Sequence, residues 1–197
     1  MIASTAVIYP GVTLGSNIVI EDFCIIGASF RSSSGELTFI GDGAIIRSHT
    51  VIYAGNRIGR NFQSGNKANI RELNTIGDDV SIGALSVVEH HVKIGDGVRI
   101  HSQVFVPEYT ILEKNAWLGP GTVITNSRYP RSPSSKTELE GVRVEENAKI
   151  GAAVTILPGV LVGKNTLVGA GSVVTKNLES DGIYAGNPAV FLRRVFY

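Results

Sequence analysis

Aliphatic residues recur at every sixth position over most of this chain. The longest series runs from Ile40 to Ile124, and Ser64 is its one exception. Its other members are Ile46, Ile52, Ile58, Ile70, Ile76, Ile82, Val88, Ile94, Ile100, Val106, Leu112 and Leu118. A period of six fits neither an amphipathic helix nor an alternating strand. It predicts an all-β fold in which short strands wind into a parallel β-helix, with three hexads in each triangular coil.

A second, mostly smaller residue follows four positions after each aliphatic one, for example Ala44 and Ala68. Both side chains are expected to point inward, since a narrow prism has room for one large and one small side chain on each side. Cys24 occupies such a position, which predicts a buried structural thiol. Glycine often comes directly after the aliphatic residue, as at Gly59 and Gly119. We assign these glycines to the corners, where backbone torsions outside the β region are needed.

Two stretches interrupt the repeat. Ile26 and Ile40 are two residues further apart than two hexads require, and the polar run 31–35 predicts a small bulge or loop at a corner. The stretch 127–141 has two prolines, four serines and no period, which predicts a loop extruded from a corner. The chain then divides into a β-helix domain of eight to nine coils at 1–180 and a capping tail at 181–197. That tail is expected to pack over the prism and cover unpaired strand edges.

Composition and charge narrow the function classes. With 197 residues and 43% hydrophobic content, the chain can bury one continuous core. Its formal charge of +1 argues against nucleic acid and anionic membranes as partners. One cysteine excludes an internal disulfide framework, and neither a signal peptide nor a membrane-spanning apolar run is visible. We expect a cytoplasmic protein.

The repeat resembles the left-handed parallel β-helix acyltransferases over essentially the whole chain; handedness comes from that resemblance, because periodicity alone cannot give it. Segments 151–159, 168–176 and 185–189 are similar to the acyl-CoA end of these enzymes. Segment 118–126, followed by Tyr129-Pro-Arg131, resembles the nucleotide-linked amino-sugar N-acetyltransferases. Segment 87–91 resembles sugar acetyltransferases that place a histidine base there.

The resemblance implies a homotrimer that uses acetyl-CoA as co-substrate, needs no metal, and acetylates the amino group of a nucleotide-linked sugar. Active sites would then lie between neighbouring prisms. The residues expected to bind the cofactor are Ala152, Ala153, Gly169, Ala170, Gly171, Lys176 and Arg193. Those expected to bind substrate are His91, Arg128 and Arg131.

Residues eighteen apart should lie one above the other on adjacent coils, about 5 Å apart. One such column reads Glu72, His90, Glu108, Asn126, and the 127–141 loop leaves directly after it. His90 is a candidate general base, because histidine is the side-chain type most often used to take up a proton near neutral pH. Glu108 can orient it or hold an attacking amine, and Asn126 can position the amine or the sugar. Glu72 is expected to be a solvated residue paired with Arg71 or a neighbouring coil.

Three alternative functions are also consistent with the sequence. O-acetylation of a sugar hydroxyl would make His90 a required base. A carbonic anhydrase built on the same prism needs three imidazoles around one zinc, and the spacings among His49, His90, His91 and His101 do not favour it. His101 is expected on a flat outer side, in a subunit interface, and His49 in a structural role. A non-catalytic scaffold is the last alternative, against which the intact acyl-CoA end argues.

Overall fold

The computed structural model describes residues 1–196, so the last residue of the 181–197 tail, Tyr197, lies outside the described residues. Three sheets form the sides of a triangular prism, and the chain visits them in the order I, II, III on every coil. All strand pairs are parallel except the last, in the tail. The expected fold class, eight to nine coils of parallel β-helix, is confirmed.

The strands are short, and most have two residues. Sheet I contains β1 (Val7–Ile8), β4 (Ile25–Ala28), β7 (Val51–Tyr53), β10 (Asn69–Ile70), β13 (Val87–Val88), β16 (Phe105–Val106), β19 (Val123–Ile124), β22 (Thr155–Ile156) and β25 (Val173–Val174). Sheet II contains β2 (Val12–Leu14), β5 (Thr38–Ile40), β8 (Arg57–Ile58), β11 (Thr75–Ile76), β14 (Lys93–Ile94), β17 (Ile111–Leu112), β20 (Arg143–Val144) and β23 (Leu161–Val162). Sheet III contains β3 (Val19–Ile20), β6 (Ile45–Ile46), β9 (Gln63–Ser64), β12 (Ser81–Ile82), β15 (Arg99–Ile100), β18 (Trp117–Leu118), β21 (Lys149–Ile150), β24 (Leu167–Val168), β26 (Gly182–Ala185) and β27 (Val190–Arg194).

The periodic aliphatic residues form one continuous core, in which Ile46, Ile70 and Leu118 are at most 1% exposed. Each aliphatic side chain removed from water contributes about 1.5–3 kcal/mol. Ser64, the exception in the series, is also buried, and its hydroxyl lies 3.0 Å from that of Thr50. This hydrogen bond satisfies a polar group that the apolar interior would otherwise penalise.

Gly59 and Gly119 do not supply corner torsions, so that expectation was wrong, although Gly27, which follows Ile26, has a φ of 80°. A β-carbon at Gly59, Gly119 or Gly151 would lie 2.5–2.7 Å from backbone atoms of the next coil. Close approach of the coils therefore requires glycine there. The corner residue with positive φ comes three positions after the aliphatic one, as at Asn61 (φ 56°) and Asn115 (φ 57°). Asparagine tolerates this left-handed conformation better than most residues do.

Both interruptions leave the prism at the corner between sheets I and II. Leu14 pairs with Ile40, which is eight residues more than one coil, so the N-terminal insertion is larger than the two-residue excess read from the sequence. Leu112 pairs with Val144, which is fourteen residues more than one coil. The expected loop at 127–141 is confirmed.

The C-terminal tail extends sheet III. Strand β26 adds to β24 in parallel, and β27 folds back antiparallel on β26. Tyr184 turns into the core and is 7% exposed, while its hydroxyl accepts a hydrogen bond from the Glu179 amide. The tail thus lengthens sheet III, and β27, exposed at all five of its residues, becomes the edge strand of that sheet. No helix among residues 1–196 is long and apolar enough to cross a lipid bilayer.

Candidate functional site

The polar column lies on the corner between sheets I and II, and its side chains contact one another. The Asn126 side-chain amide donates to Glu108 Oε2 over 2.7 Å. The other oxygen of the same carboxylate, Oε1, lies 3.7 Å from His90 Nε2. Glu108 therefore bridges the other two groups, and all three side chains remain partly accessible. The eighteen-residue spacing brought these residues together as expected.

His90 also contacts its neighbour in the chain. Its Nδ1 lies 2.8 Å from Nδ1 of His91, whose φ of 57° turns its side chain back over the corner. The ring of Tyr109, one coil further on, packs against both imidazoles at centroid distances of 6.2 and 5.7 Å. In this hydrogen bond one Nδ1 donates and the other accepts, so the tautomers of the two rings are coupled. The imidazole of His90 is held by side chains on three sides.

Glu72, at the lower end of the column, is buried, which corrects the expectation of a solvated residue. Its carboxylate accepts two hydrogen bonds from the Arg71 guanidinium, the partner that was expected. Burial raises the pKa of Glu72, but the hydrogen bonds and charge of Arg71, its own backbone amide and the charge of His90 together outweigh it, and the pKa lies below its usual range. Arg71 also approaches Glu89 at 3.7 Å. Burial raises the pKa of Glu89, against the opposing charge of Arg71.

The loop at 127–141 is closed at its neck directly above the column. The Glu140 amide donates to the Asn126 carbonyl over 2.8 Å. Arg128 bonds to the Glu140 carboxylate at 3.3 Å and to the Pro158 carbonyl at 3.2 Å. Arg128 thus anchors the loop to the next coil in this structure. Arg131 lies at the exposed loop tip with a φ of 66°.

A groove of about 380 Å³ runs along the outer side of sheet III in the C-terminal coils. Its lining residues are Trp117, Lys149, Gly151, Leu167, Val168, Gly169 and Ala170. Two of the residues expected to bind the cofactor, Gly169 and Ala170, belong to it. Ala152, Ala153 and Gly171 lie along the neighbouring corner, between sheets III and I. The backbone is accessible there, since a β-carbon at Gly171 would meet nothing within 4 Å.

The two expected cofactor-binding cations lie elsewhere. Lys176 lines a separate cavity of about 420 Å³ beside the tail, together with Tyr184 and Phe191. Arg193 is exposed on β27. Both are near the C-terminal end of the prism, beyond the groove.

Sequence reasoning missed Trp117, Lys149 and Leu167, which form the outward wall of the groove. They are register neighbours on β18, β21 and β24. The signal was available in principle, because each directly precedes an aliphatic core residue and so faces outward. The outward position of a hexad is free to vary, however, and carries no period of its own.

Sheet I presents an apolar outer side. The outward residues of its strands include Ile25, Val51, Val87, Phe105, Val123 and Val173. Asn69 and Thr155 interrupt this row, and among residues 1–196 the buried Oδ1 of Asn69 has no hydrogen-bond partner. The equivalent row on sheet II is mixed, with Arg57, Lys93 and Arg143. Sheet I is therefore the side of the prism best suited to contact another protein surface.

The remaining histidines have defined neighbours. His101 lies on the outer side of sheet III, as expected, where its ring contacts Trp117 at 4.8 Å. Burial, followed by the nearby charge of Arg99, lowers the pKa of His101. His49 has a φ of 63° and packs against Phe23, in keeping with a structural role.

Within residues 1–196 no three His, Cys, Asp or Glu side chains are grouped so that they could hold a metal ion. Cys24 is buried as expected.

Comparison with known proteins identifies hexapeptide repeats in this chain. The bacterial transferase hexapeptide family (six repeats) matches residues 75–108 and 141–176, which carry parts of the column and most of the groove. Hexapeptide repeats therefore occupy both stretches, and the fold is the parallel β-helix that such repeats form. Among hexapeptide-repeat structures, a Francisella novicida UDP-N-acetylglucosamine acyltransferase superposes with a TM-score of 0.81. It is 18% identical, and the match covers 98% of this chain and 69% of that one.

Relatives by sequence are found among several hexapeptide-repeat proteins. The bifunctional protein GlmU of Exiguobacterium sibiricum is 32% identical over 183 residues, or 93% of this chain and 38% of that protein. A galactoside O-acetyltransferase of Lactococcus lactis is 31% identical over 111 residues, or 53% of this chain and 54% of that protein. This hexapeptide-repeat chain therefore spans well under two thirds of the length of either relative.

Proposed function

We propose that this protein transfers an acetyl group from acetyl-CoA to the amino group of a nucleotide-linked amino sugar. The observation that carries the proposal is the contiguous set His90, Glu108 and Asn126, directly below a closed fourteen-residue insertion. Acyl transfer from a thioester needs an aligned nucleophile, a proton acceptor and a donor for the developing oxyanion. The amino-sugar acceptor rests on the likeness of segment 118–131 to the corresponding N-acetyltransferase motif.

In this mechanism His90 lies where an attacking group would lose its proton. Glu108 holds His90 and Asn126 in a fixed relation, and the Asn126 amide positions the acceptor. An amine needs no strong base, because the departing CoA thiolate can itself take the proton. A hydroxyl does need one, since it must be deprotonated as it attacks.

The active form is a homotrimer with sheet I of each prism facing the threefold axis. Burial of the apolar row from Ile25 to Val173 favours this arrangement. Sheet I lies between the corner that carries the column and the corner beside the groove. Cyclic packing on sheet I therefore brings the column of one protomer next to the groove of its neighbour. Each active site then needs two protomers.

Acetyl-CoA occupies the groove and the small-residue corner formed by Ala152, Ala153 and Gly171. Its pantetheine arm runs close to the backbone, where glycine and alanine leave room. Lys176 and Arg193, near the C-terminal end, are available for the CoA phosphates. Arg128, Arg131 and His91 face the acceptor on the loop side.

O-acetylation of a sugar hydroxyl is the second candidate. The galactoside O-acetyltransferase of Lactococcus lactis, 31% identical over 111 residues, favours it. So does the environment of His90, which is fixed by His91 and Tyr109 as a general base would be.

The test is free-thiol release from acetyl-CoA against a panel of amino-sugar nucleotides and plain sugars, with His90→Ala compared to wild type. An amine acceptor should retain most of its rate in the variant. A hydroxyl acceptor should lose about 10²–10⁴-fold, the usual contribution of a general base. No turnover with either class, in protein that is folded, would overturn the proposal in favour of a scaffold. Stoichiometric zinc lost together with activity would instead favour the carbonic-anhydrase alternative.

A further inference from the structure

The groove on sheet III stops abruptly at one coil. Beyond that coil, toward the N-terminus, a second cavity of about 230 Å³ continues along the same sheet, lined by Ser81, Gly83 and Arg99 among others. Trp117 lines the first cavity, and His101 lines the second. The two rings touch at a centroid distance of 4.8 Å, so this aromatic pair separates the two cavities.

The sequence pattern marks the same boundary. The position directly after the core residue of sheet III is glycine at Gly65 and Gly83, histidine at His101, and glycine again at Gly119, Gly151 and Gly169. Among these six positions only His101 carries a side chain, and it adds to the outward side chains of the same sheet. At the adjacent corner, the positive-φ residue is Gln103 on this coil and small from Gly121 onward.

The pair is held rigidly. Arg99 Nε donates to His101 Nε2 over 3.2 Å, so that nitrogen carries no proton and the imidazole is neutral. The lowered pKa of His101 is consistent with this state. Arg99 and Trp117 are also register partners on β15 and β18. The indole is thus fixed by its own strand and by a ring on the neighbouring one.

Trp117 and His101 lie at about the same height along the prism axis as the proposed catalytic column. Trp117 lies nine residues, or half a coil, after Glu108, and Asn126 follows another nine residues later. Under cyclic symmetry with parallel prism axes, equal heights meet across the protomer interface. The thioester end of CoA therefore lies near Trp117, and its phosphates extend toward Lys176.

From this geometry we propose that Trp117 and His101 form an end wall that restricts the acyl group to short chains. The inference rests on the proposed function, which requires acyl-CoA in the groove. A longer chain would have to enter the space filled by the two rings. Removing either ring would join the two cavities into one channel along sheet III.

The experiment measures binding of acetyl-, butanoyl-, hexanoyl- and octanoyl-CoA to the full chain by titration calorimetry. Wild type should bind the short thioesters best. Trp117→Ala should raise the affinity for octanoyl-CoA relative to acetyl-CoA by about tenfold or more, because the added methylenes gain a buried apolar surface. His101→Gly should do the same, and it restores the residue type of the coils on either side. Phe39→Ala, an exposed aromatic on sheet II, is the matched control and should leave the profile unchanged.

The two possible failures are distinguishable. If wild type binds acetyl-CoA and both folded variants show the same chain-length profile, Trp117 and His101 do not limit the acyl chain. The proposal that acetyl-CoA binds in the groove is not affected by this result. If wild type binds no thioester, the proposal that acyl-CoA occupies the groove is wrong, and the proposed role of Trp117 and His101 as its end wall is wrong as well. Weaker binding of every thioester by the same factor would mean that Trp117 contacts the pantetheine rather than the acyl group.

Discussion

Two insertions leave this β-helix at the same corner, between sheets I and II, and they differ in what they lie next to. The first, near residues 29–37, adds eight residues to one coil. It is fixed largely within itself, because Glu36 accepts hydrogen bonds from Ser33 and Ser34. The second, at 127–141, adds fourteen residues and begins directly after Asn126. It is closed onto the next coil through Arg128 and Glu140.

The difference shows how a repetitive fold separates structure from function. A prism of stacked hexads tolerates extra residues at a corner, because the strands on either side still pair in register. In the proposed function, an insertion takes part in the chemistry only where its height on the prism places it beside the column of His90, Glu108 and Asn126. The large loop lies above His90, Glu108 and Asn126, whereas the small one lies near Gly55, below them. The comparison can be tested by removing or loosening each insertion in turn.

The largest effect is expected from deleting each loop. Deletion of residues 127–140 restores an uninterrupted coil and should leave the protein folded and able to bind acetyl-CoA. Sugar turnover should fall by about 10²-fold or more, because Asn126 loses its neighbour and the acceptor its enclosure. Steady-state kinetics and calorimetric acetyl-CoA binding check this.

Deletion of residues 29–36 is the matched control, since it also restores one regular coil at the same corner. Its turnover should stay within a few-fold of wild type. Equal losses from both deletions would mean that the corner responds to any insertion, and that the large loop has no special relation to the acceptor.

The next effect concerns the corner between the two loops. Arg71→Met leaves the Glu72 carboxylate buried without the guanidinium that donates two hydrogen bonds to it. We expect the free energy of unfolding to fall by about 2 kcal/mol, a moderate figure because Arg71 is itself partly exposed. Denaturant titration measures it, and the double variant with Glu72→Gln should recover part of the loss. Full stability in Arg71→Met would show that Glu72 finds other partners.

Much of this arrangement could be predicted from the sequence, for physical reasons. Few side chains fit a position that faces a narrow core, so the six-residue period identified the coils and the buried Cys24. Once the coils were known, the eighteen-residue spacing identified the column of His90, Glu108 and Asn126. The predicted size of the first insertion was wrong because the fourteen residues from Ile26 to Ile40 can be divided in two ways. They equal two hexads plus two extra residues, or one hexad plus eight. Only strand pairing decides between them.

The glycines were misassigned for a related reason. Sequence shows that Gly59 lacks a side chain but not whether torsion or close approach requires this, and the structure shows close approach. The groove wall of Trp117, Lys149 and Leu167 was missed because outward positions are unconstrained by packing. The roles of the column and of the cofactor residues stay predictions, since they depend on a ligand and on a neighbouring protomer.

A smaller effect is expected from loosening the large loop without deleting it. Arg128→Met removes an exposed ion pair with Glu140 and a hydrogen bond to the Pro158 carbonyl. Exposed pairs contribute about 0.2–1 kcal/mol, so the apparent Michaelis constant for the sugar should rise only a few-fold. The constant for acetyl-CoA should not change. If turnover falls as far as in the deletion, Arg128 contacts the acceptor directly instead of anchoring the loop.

The smallest effect concerns the N-terminal loop and is pH-dependent. Hydrogen bonds from Ser33, then from the Ser34 amide, lower the pKa of Glu36 to about 2. A depressed carboxyl pKa stabilises the folded loop above the unfolded pKa of about 4.5, and this contribution is lost as the pH falls toward 2. The amides of residues 33–36 should therefore exchange with solvent faster in Glu36→Gln than in wild type at pH 7, and the difference should vanish by about pH 2. Glu138→Gln, which removes a carboxylate bonded by Ser134 in the large loop, is the matched control and should leave exchange at 33–36 unaltered. A difference that persists unchanged to pH 2 would mean that the loop is held by packing near Gly55 rather than by the Glu36 charge.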